Sequence, residues 1–80
     1  MTPAQGELTS ALCELVAPLM HLSMVHPRRR FRRAACRLWR TSLRVLVRLQ
    51  RGGLDDSHCV LMLASVDGVM VSIRSELMRL

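Results

Sequence analysis

Apolar residues recur at helical spacing in the first third of the chain. Leucines stand at alternating steps of four and three residues, at Leu8, Leu12, Leu15, Leu19 and Leu22. At 3.6 residues per turn they form one stripe, which predicts a helix over about 7–25. Thr9 or Ser10 is the expected N-cap, and Pro18 is expected to kink or split the helix near Ala17.

A second pattern with the same period covers about 27–51. The face that carries most of its apolar residues comprises Phe31, Ala35, Leu38, Ser42, Val45, Leu46 and Leu49. Pro27 suits a first helical position, and Gly52-Gly53 provides a stop at the C-terminal end. The apolar face must be covered, most simply by the first helix folding back through a short joint at 25–27. The two segments therefore predict a helical hairpin and a mainly α fold.

The C-terminal third fits two structures. Residues 60–66 are almost wholly apolar, and 69–73 alternate apolar with other residues. Asp67-Gly68 between them is a strong signal for a type I′ turn, which favours a β-hairpin over about 59–74. The alternative is a third helix over about 57–74, which the same glycine would weaken.

The length of 80 residues limits the chain to a single small domain, residues 1–80. A core of this size contributes only about 3–5 kcal/mol net, so association into a homo-oligomer is expected to complete it. Half of the residues are hydrophobic, which argues against a disordered chain. Residues 1–6 precede the periodic pattern and are expected to be flexible.

Arginine is ordered more strictly than any other residue type. Ten of the twelve arginines lie within 28–51, a segment without acidic residues. Seven of them recur at steps of three or four, opposite the apolar face of the basic amphipathic helix 27–51. This arginine stripe comprises Arg30, Arg33, Arg37, Arg40, Arg44, Arg48 and Arg51. Neighbours along the stripe repel one another, and more arginines crowd the positive end of the helix dipole, so the pattern predicts an anionic partner.

Codon usage explains part of this composition. Lysine, asparagine and tyrosine are absent, and isoleucine and phenylalanine occur once each. These residues share AT-rich codons, so the chain is typical of a GC-rich reading frame, such as one overprinted on a viral gene. Codon bias accounts for arginine in place of lysine, but it does not place arginines at helical intervals.

Nucleic acid is the partner that the stripe favours, RNA more than DNA. A straight row of guanidinium groups can follow phosphates. The helix has few aromatic residues and no asparagine, which disfavours base stacking and the reading of adenine edges. The sequence therefore predicts a small non-enzymatic accessory protein that binds the backbone of duplex RNA without sequence preference. In kind, though not in sequence, it resembles the small helical duplex-RNA binders of some RNA viruses.

Two other partners suit the same helix. The first is an anionic membrane surface such as that of mitochondria, because interfacial helices combine a basic face with Leu, Phe and Trp, and Trp39 stands between the two faces. The second is an acidic segment of a host or partner protein. A localisation patch that would direct the chain to the nucleus or nucleolus is formed by Arg28, Arg29, Arg30, Arg32 and Arg33.

The remaining residues predict no catalytic site, metal site or cofactor. The histidines and cysteines lack the paired spacing of zinc ligands, and no glycine-rich phosphate loop is present. Three widely spaced cysteines indicate free thiols in an intracellular setting. The N-terminus lacks the basic start of a signal peptide, and the longest uncharged run is too short to cross a bilayer, so the chain is expected to be neither secreted nor transmembrane.

Overall fold

The computed structural model describes residues 2–80, which form three α-helices. They span Pro3–Val25 (α1), Arg29–Gln50 (α2) and Asp56–Arg79 (α3). The central helix is α1: α2 packs antiparallel to it and α3 parallel to it. No pair of Cα atoms from α2 and α3 lies within 8 Å, so the backbones of these two helices stay apart and each packs on α1. The prediction of a mainly α fold built on a helical hairpin is confirmed.

A capping box starts α1 earlier than predicted. The backbone N–H of Gln5 donates to the Thr2 hydroxyl at 3.3 Å, and the N–H of Thr2 donates to the Gln5 side chain at 3.1 Å. The predicted start near residue 7, with Thr9 or Ser10 as the cap, is therefore wrong. The helix includes residues 3–6; their predicted flexibility stays a prediction, and Met1 lies outside the described residues.

Pro18 does not split α1. The helix runs without interruption from Pro3 to Val25, although proline removes one backbone hydrogen bond at a typical cost of about 3 kcal/mol. The leucine stripe explains why this cost is tolerated. All five predicted leucines are at most 3% exposed, and they continue in one line on both sides of the proline. Burial on α1 thus outweighs the local preference for a break.

The core repeats every seven residues on the two flanking helices. α2 buries Ala35, Ser42 and Leu49, and α3 buries Cys59, Val66 and Ile73. A seven-residue repeat keeps one face of a helix against its neighbour over several turns, as in a coiled coil. The buried residues of α2 and α3 belong to the same cluster as the α1 leucines, so the core of the protein forms around α1.

The ends of α2 follow from their neighbours in sequence. His26 precedes Pro27 and is extended, as residues before proline usually are, so the helix begins at Arg29 rather than at Pro27. At the other end Gly52 has φ +71° and Gly53 donates its N–H to the Arg48 carbonyl at 2.9 Å. These contacts form a Schellman motif, and the predicted stop at the two glycines is confirmed.

The favoured β-hairpin over 59–74 is wrong, because the chain forms α3 there. Asp55 caps the helix by accepting the N–H of His58 at 2.9 Å, and this hydrogen bond lowers the pKa of Asp55. Gly68 is exposed and costs the helix about 1 kcal/mol. A lone two-stranded hairpin is marginally stable in water, whereas helical spacing places Cys59, Val66 and Ile73 together on the α1 leucines. Burial therefore overrides the local turn signal.

A buried histidine joins the C-terminal ends of α1 and α3. His26 is 4% exposed, and its Nε2 lies 2.9 Å from Oε2 of Glu76. The other ring nitrogen, Nδ1, accepts the backbone N–H of Arg28 at 3.1 Å. Nε2 is therefore the donor to Glu76. The ring also stacks on Phe31 with centroids 4.2 Å apart, so this side chain fixes the joint between α1 and α2 as well.

The leucine core generates a prediction for stability. Leu19→Ala should destabilise the protein by about 2–5 kcal/mol, because Leu19 is 1% exposed and its loss leaves a cavity among the other leucines. Leu61, which is 69% exposed, is the matched control, and Leu61→Ala should stay within about 0.5 kcal/mol of the wild type. Chemical denaturation followed by circular dichroism measures both. Equal effects of the two changes would contradict this assignment of the core.

The contact between Glu76 and His26 generates a prediction for pH dependence. The hydrogen bond from His26, assisted by Arg79 and Arg28, holds the pKa of Glu76 below its ordinary value. Stabilisation by this carboxylate is therefore present above its unfolded pKa and is lost as the pH falls through its folded pKa. Thermal unfolding should show Glu76→Gln clearly less stable than wild type near neutral pH, with the difference shrinking as the pH falls below the ordinary pKa of a glutamate, about 4.3.

The matched control for this measurement is Asp67→Asn, which removes an exposed carboxylate from the same helix. A difference between wild type and Glu76→Gln that stayed constant across the acid range would show that the carboxylate charge does not stabilise the joint.

Candidate nucleic-acid interface

The arginine stripe lies on the surface of α2 that faces away from α1. The buried residues of α2 recur at 35, 42 and 49, and the stripe occupies the opposite side of the helix. All seven members, from Arg30 to Arg51, are exposed. At 1.5 Å per residue the row is about 32 Å long, and rigid helix supports it almost to its end. The stripe is thus a continuous surface, as its spacing predicts.

No guanidinium of the stripe forms an ion pair within the described part of the chain. The ion pairs found among residues 2–80 join Glu76 to His26 and to Arg79, and Asp55 to His58. The other acidic residues are Glu7 and Glu14 on the exposed side of α1, Asp56 at the start of α3, and Asp67 on the exposed side of α3. The stripe therefore keeps its full positive charge available to an outside ligand.

The start of the stripe forms a basic hollow. Arg29, Arg30, Arg33 and Arg37 line an open depression of about 370 Å³ at the N-terminal end of α2. This helix has no acidic residue in its first turn and no side-chain cap, so its positive end adds to the charge of the four side chains. The hollow is the part of the stripe where an anion meets the highest density of positive groups.

The predicted localisation patch is divided by the fold. Arg28, Arg29, Arg30 and Arg33 are exposed. Arg32 points elsewhere: its guanidinium donates to the carbonyls of His26 at 2.7 Å and of Pro27 at 3.3 Å. These carbonyls belong to the joint between α1 and α2, so Arg32 closes the joint. The sequence does not reveal this role, because the path of the turn decides which carbonyls lie near Arg32.

The two aromatic residues of α2 both contact other parts of the fold. Phe31 stacks on His26, and Trp39 is half-buried against the core. The indole N–H of Trp39 is buried without an acceptor among the described residues, and the nearby guanidinium of Arg40 lies 5.8 Å from the ring. Phe31 is therefore not available for base stacking, and Trp39 is the one aromatic side chain of α2 that lies partly exposed beside the stripe.

The thiols and the other candidate ligands lie apart from one another. The three cysteines are free, with Cys13 exposed, Cys36 half-buried and Cys59 buried. Burial, together with Asp56 and Asp55, raises the pKa of the Cys59 thiol. Within residues 2–80, no three His, Cys, Asp or Glu side chains come close enough together to hold a metal ion.

Two helices have the length and apolar composition of a membrane span. These are α1 and α3, and less than a third of the relevant stretch of either helix is buried. Core helices of soluble proteins can have the same properties. The expectation that no segment crosses a membrane is not confirmed. α3 also exposes several apolar side chains, among them Val60, Val71 and Met78.

The unpaired stripe generates a prediction for stability. In Arg37→Glu with Arg44→Glu, the new carboxylates stand at helical spacing from Arg33, Arg40 and Arg48, so repulsion is replaced by attraction. The melting temperature should be unchanged or raised by a few degrees, with helix content retained in circular dichroism. Arg37→Gln with Arg44→Gln, which only removes repulsion, should fall between wild type and the double glutamate variant. A large loss of helix would show that these arginines support the fold.

Comparison with models of protein families, with curated proteins and with solved structures finds no match for this chain.

Proposed function

We propose that this protein binds the phosphate backbone of duplex RNA through the arginine stripe, without sequence preference. The observation that carries the proposal is the row of seven exposed guanidinium groups without an internal counterion. Such a row loses stability by its own repulsion, and a polyanion reverses that cost. The protein would act as an accessory factor that covers RNA rather than one that alters it.

The rigidity of α2 suits a regular ligand. A row about 32 Å long that is fixed on one helix face offers a fixed set of spacings. A duplex presents phosphates at fixed positions, whereas a flexible single strand must be ordered first. The planar guanidinium group also donates two parallel hydrogen bonds to phosphate oxygens, so each contact fixes orientation as well as charge.

The side chains around the stripe support backbone binding over base recognition. Base stacking needs an exposed aromatic face, but Phe31 is stacked on His26 and Trp39 is partly covered by the core. Base-edge reading of adenine uses asparagine or glutamine, and α2 has Gln50 alone at its end. Recognition by shape and phosphate is how proteins usually bind A-form duplexes, which favours RNA.

A membrane surface is the second candidate, and the apolar exposure of α1 and α3 favours it. Met24 is 77% exposed and Met78 is 88% exposed, which is much apolar surface for so small a protein. The fold argues against membrane binding by α2 itself. An interfacial helix buries its own apolar face in lipid, but Ala35, Ser42 and Leu49 of α2 are already buried against α1. Membrane binding would need α1 or α3 to supply the apolar contact.

The proposed function predicts a steep dependence on salt. If about six arginines engage phosphates, the affinity for a duplex RNA should fall by roughly a thousandfold between about 50 and 200 mM salt. Two duplexes of unrelated sequence should bind alike. Fluorescence anisotropy of labelled duplexes at a series of salt concentrations measures both, with anionic vesicles as a parallel ligand. A flat salt response would contradict the proposal, and stronger binding to vesicles would favour the second candidate.

A matched pair of variants separates the stripe from net charge. Arg44→Glu and Arg74→Glu both lower the net charge of the chain by the same amount. Only Arg44 lies in the stripe, whereas Arg74 is exposed on α3 and forms no ion pair among the described residues. The stripe variant should lose most of its affinity for RNA, and the α3 variant should retain it. Equal losses would mean that overall charge rather than the stripe attracts the ligand.

A further inference from the structure

An open apolar groove runs between α2 and α3. The two helices pack on α1 with their backbones apart, and two adjoining hollows lie between them. Both hollows are lined by Leu38, Ser65 and Val69, so they form one groove. Its floor is made by the α1 leucines Leu8, Leu12, Leu15 and Leu19.

The groove is an open hollow lined mostly by apolar side chains. Its two parts have volumes of about 180 and 370 Å³. Side chains along the walls are only half-covered: Leu38 is 40% exposed, although its position on the apolar face of α2 predicts burial. Apolar surface is therefore left for an occupant.

The dimensions of the groove fit a helix. From Leu8 to Leu19 the floor extends over eleven residue steps along α1, or about 16 Å, which is three helical turns. Three turns accommodate apolar anchors at positions i, i+3 or i+4, and i+7, the pattern by which an amphipathic helix binds in a groove. A helix placed there would contact both α2 and α3 and complete a four-helix arrangement.

The two rims of the groove differ in charge. On α2 the lining residues Ala34, Thr41 and Val45 stand three or four positions from members of the stripe. Helical spacing therefore places four arginines along this rim: Arg30, Arg37, Arg44 and Arg48. On α3 the lining residues are Ser65, Gly68 and Ser72, and the same spacing reaches only Glu76, whose carboxylate is paired with His26 and Arg79. An occupant is attracted if it carries acidic residues on the flank that faces α2.

We propose that this groove binds an amphipathic helix of a partner protein, with its apolar face on the α1 leucines and an acidic flank along the α2 arginines. A second copy of the chain fits less well. Its α2 would bring a second arginine stripe close to the first, and its α1 and α3 present only isolated acidic residues on their exposed sides. An RNA duplex keeps its base faces stacked on one another, so it offers no apolar face that could replace water in the groove.

The first test uses a designed peptide and the full chain. The probe is a fluorescent helical peptide of about 18 residues with leucines at helical spacing and glutamates along one flank. It should bind in an anisotropy titration, whereas a scrambled peptide of the same composition should not. Ser65 is exposed and lines the groove, so the indole ring of Ser65→Trp should occupy the groove and weaken binding by at least about tenfold. Ala64→Trp places the same side chain on the outer surface of α3 and should change binding less than about twofold.

The second test exchanges the charges. Replacing the glutamates of the peptide by glutamine should weaken binding by about tenfold, and Arg37→Glu with Arg44→Glu should do the same to the glutamate peptide. A peptide with lysines in place of the glutamates should bind this variant better than it binds the wild type. Rescue of this kind requires that the flank of the peptide lies against α2, and a general loss of folding cannot produce it.

Several outcomes would overturn the proposal. Equal binding of the glutamate and glutamine peptides would remove the role of the arginine rim, and normal binding to Ser65→Trp would place the peptide elsewhere. Sedimentation that shows a dimer of the free chain, broken by Ser65→Trp but not by Ala64→Trp, would assign the groove to a second copy. Binding of anionic vesicles that is lost in Ser65→Trp, without binding of the peptide, would assign the groove to lipid.

Discussion

The leucine stripe of α1 is the contact on which the rest of this structure depends. Its five leucines are at most 3% exposed, and the buried residues of both other helices pack on them. α2 would be a poor helix alone, because its arginines repel and its N-terminus lacks a cap. Isolated helices are marginal in water even without such penalties. The arginine stripe is therefore ordered because α1 holds the opposite face of the same helix.

The central position of α1 also leaves the molecule open. In a closed three-helix bundle each helix covers the other two, but here the backbones of α2 and α3 stay apart and each packs on α1. Contacts at the ends set this spacing. Gln5 of α1 donates to the Leu54 carbonyl at one end, and His26 joins Glu76 at the other. These polar contacts fix α3 against α1, and no comparable contact pulls α3 toward α2. The groove follows from that arrangement.

The sequence predicts correctly the features that depend on helical periodicity. Predictions from a local signal are wrong where burial on α1 opposes that signal. The leucine stripe and the exposed row of arginines are readable because one helical period determines them, and the glycine stop of α2 is readable because no burial opposes that local signal. Asp67-Gly68 is misleading, since a two-residue turn signal says nothing about the α1 leucines that stabilise α3. Pro18 does not split α1 for the same reason, whereas Thr9 is superseded by a local capping box of Thr2 and Gln5. His26 and Arg32 make their contacts in the joint between α1 and α2. Their roles can therefore be assigned only once the path of the chain through that joint is known.

The two proposed ligands, phosphate and an acidic helix, share one helix, and this limits how the protein could use them together. Arg37 and Arg44 belong to the stripe proposed to bind phosphate and also stand along the rim of the groove. A guanidinium bound to a carboxylate is no longer free for phosphate, so the two ligands oppose each other at these residues. Arg33, Arg40 and Arg51 lie farther from the groove by helical position and keep their charge for phosphate in either case. The coupling is therefore partial, and by linkage it acts equally in both directions.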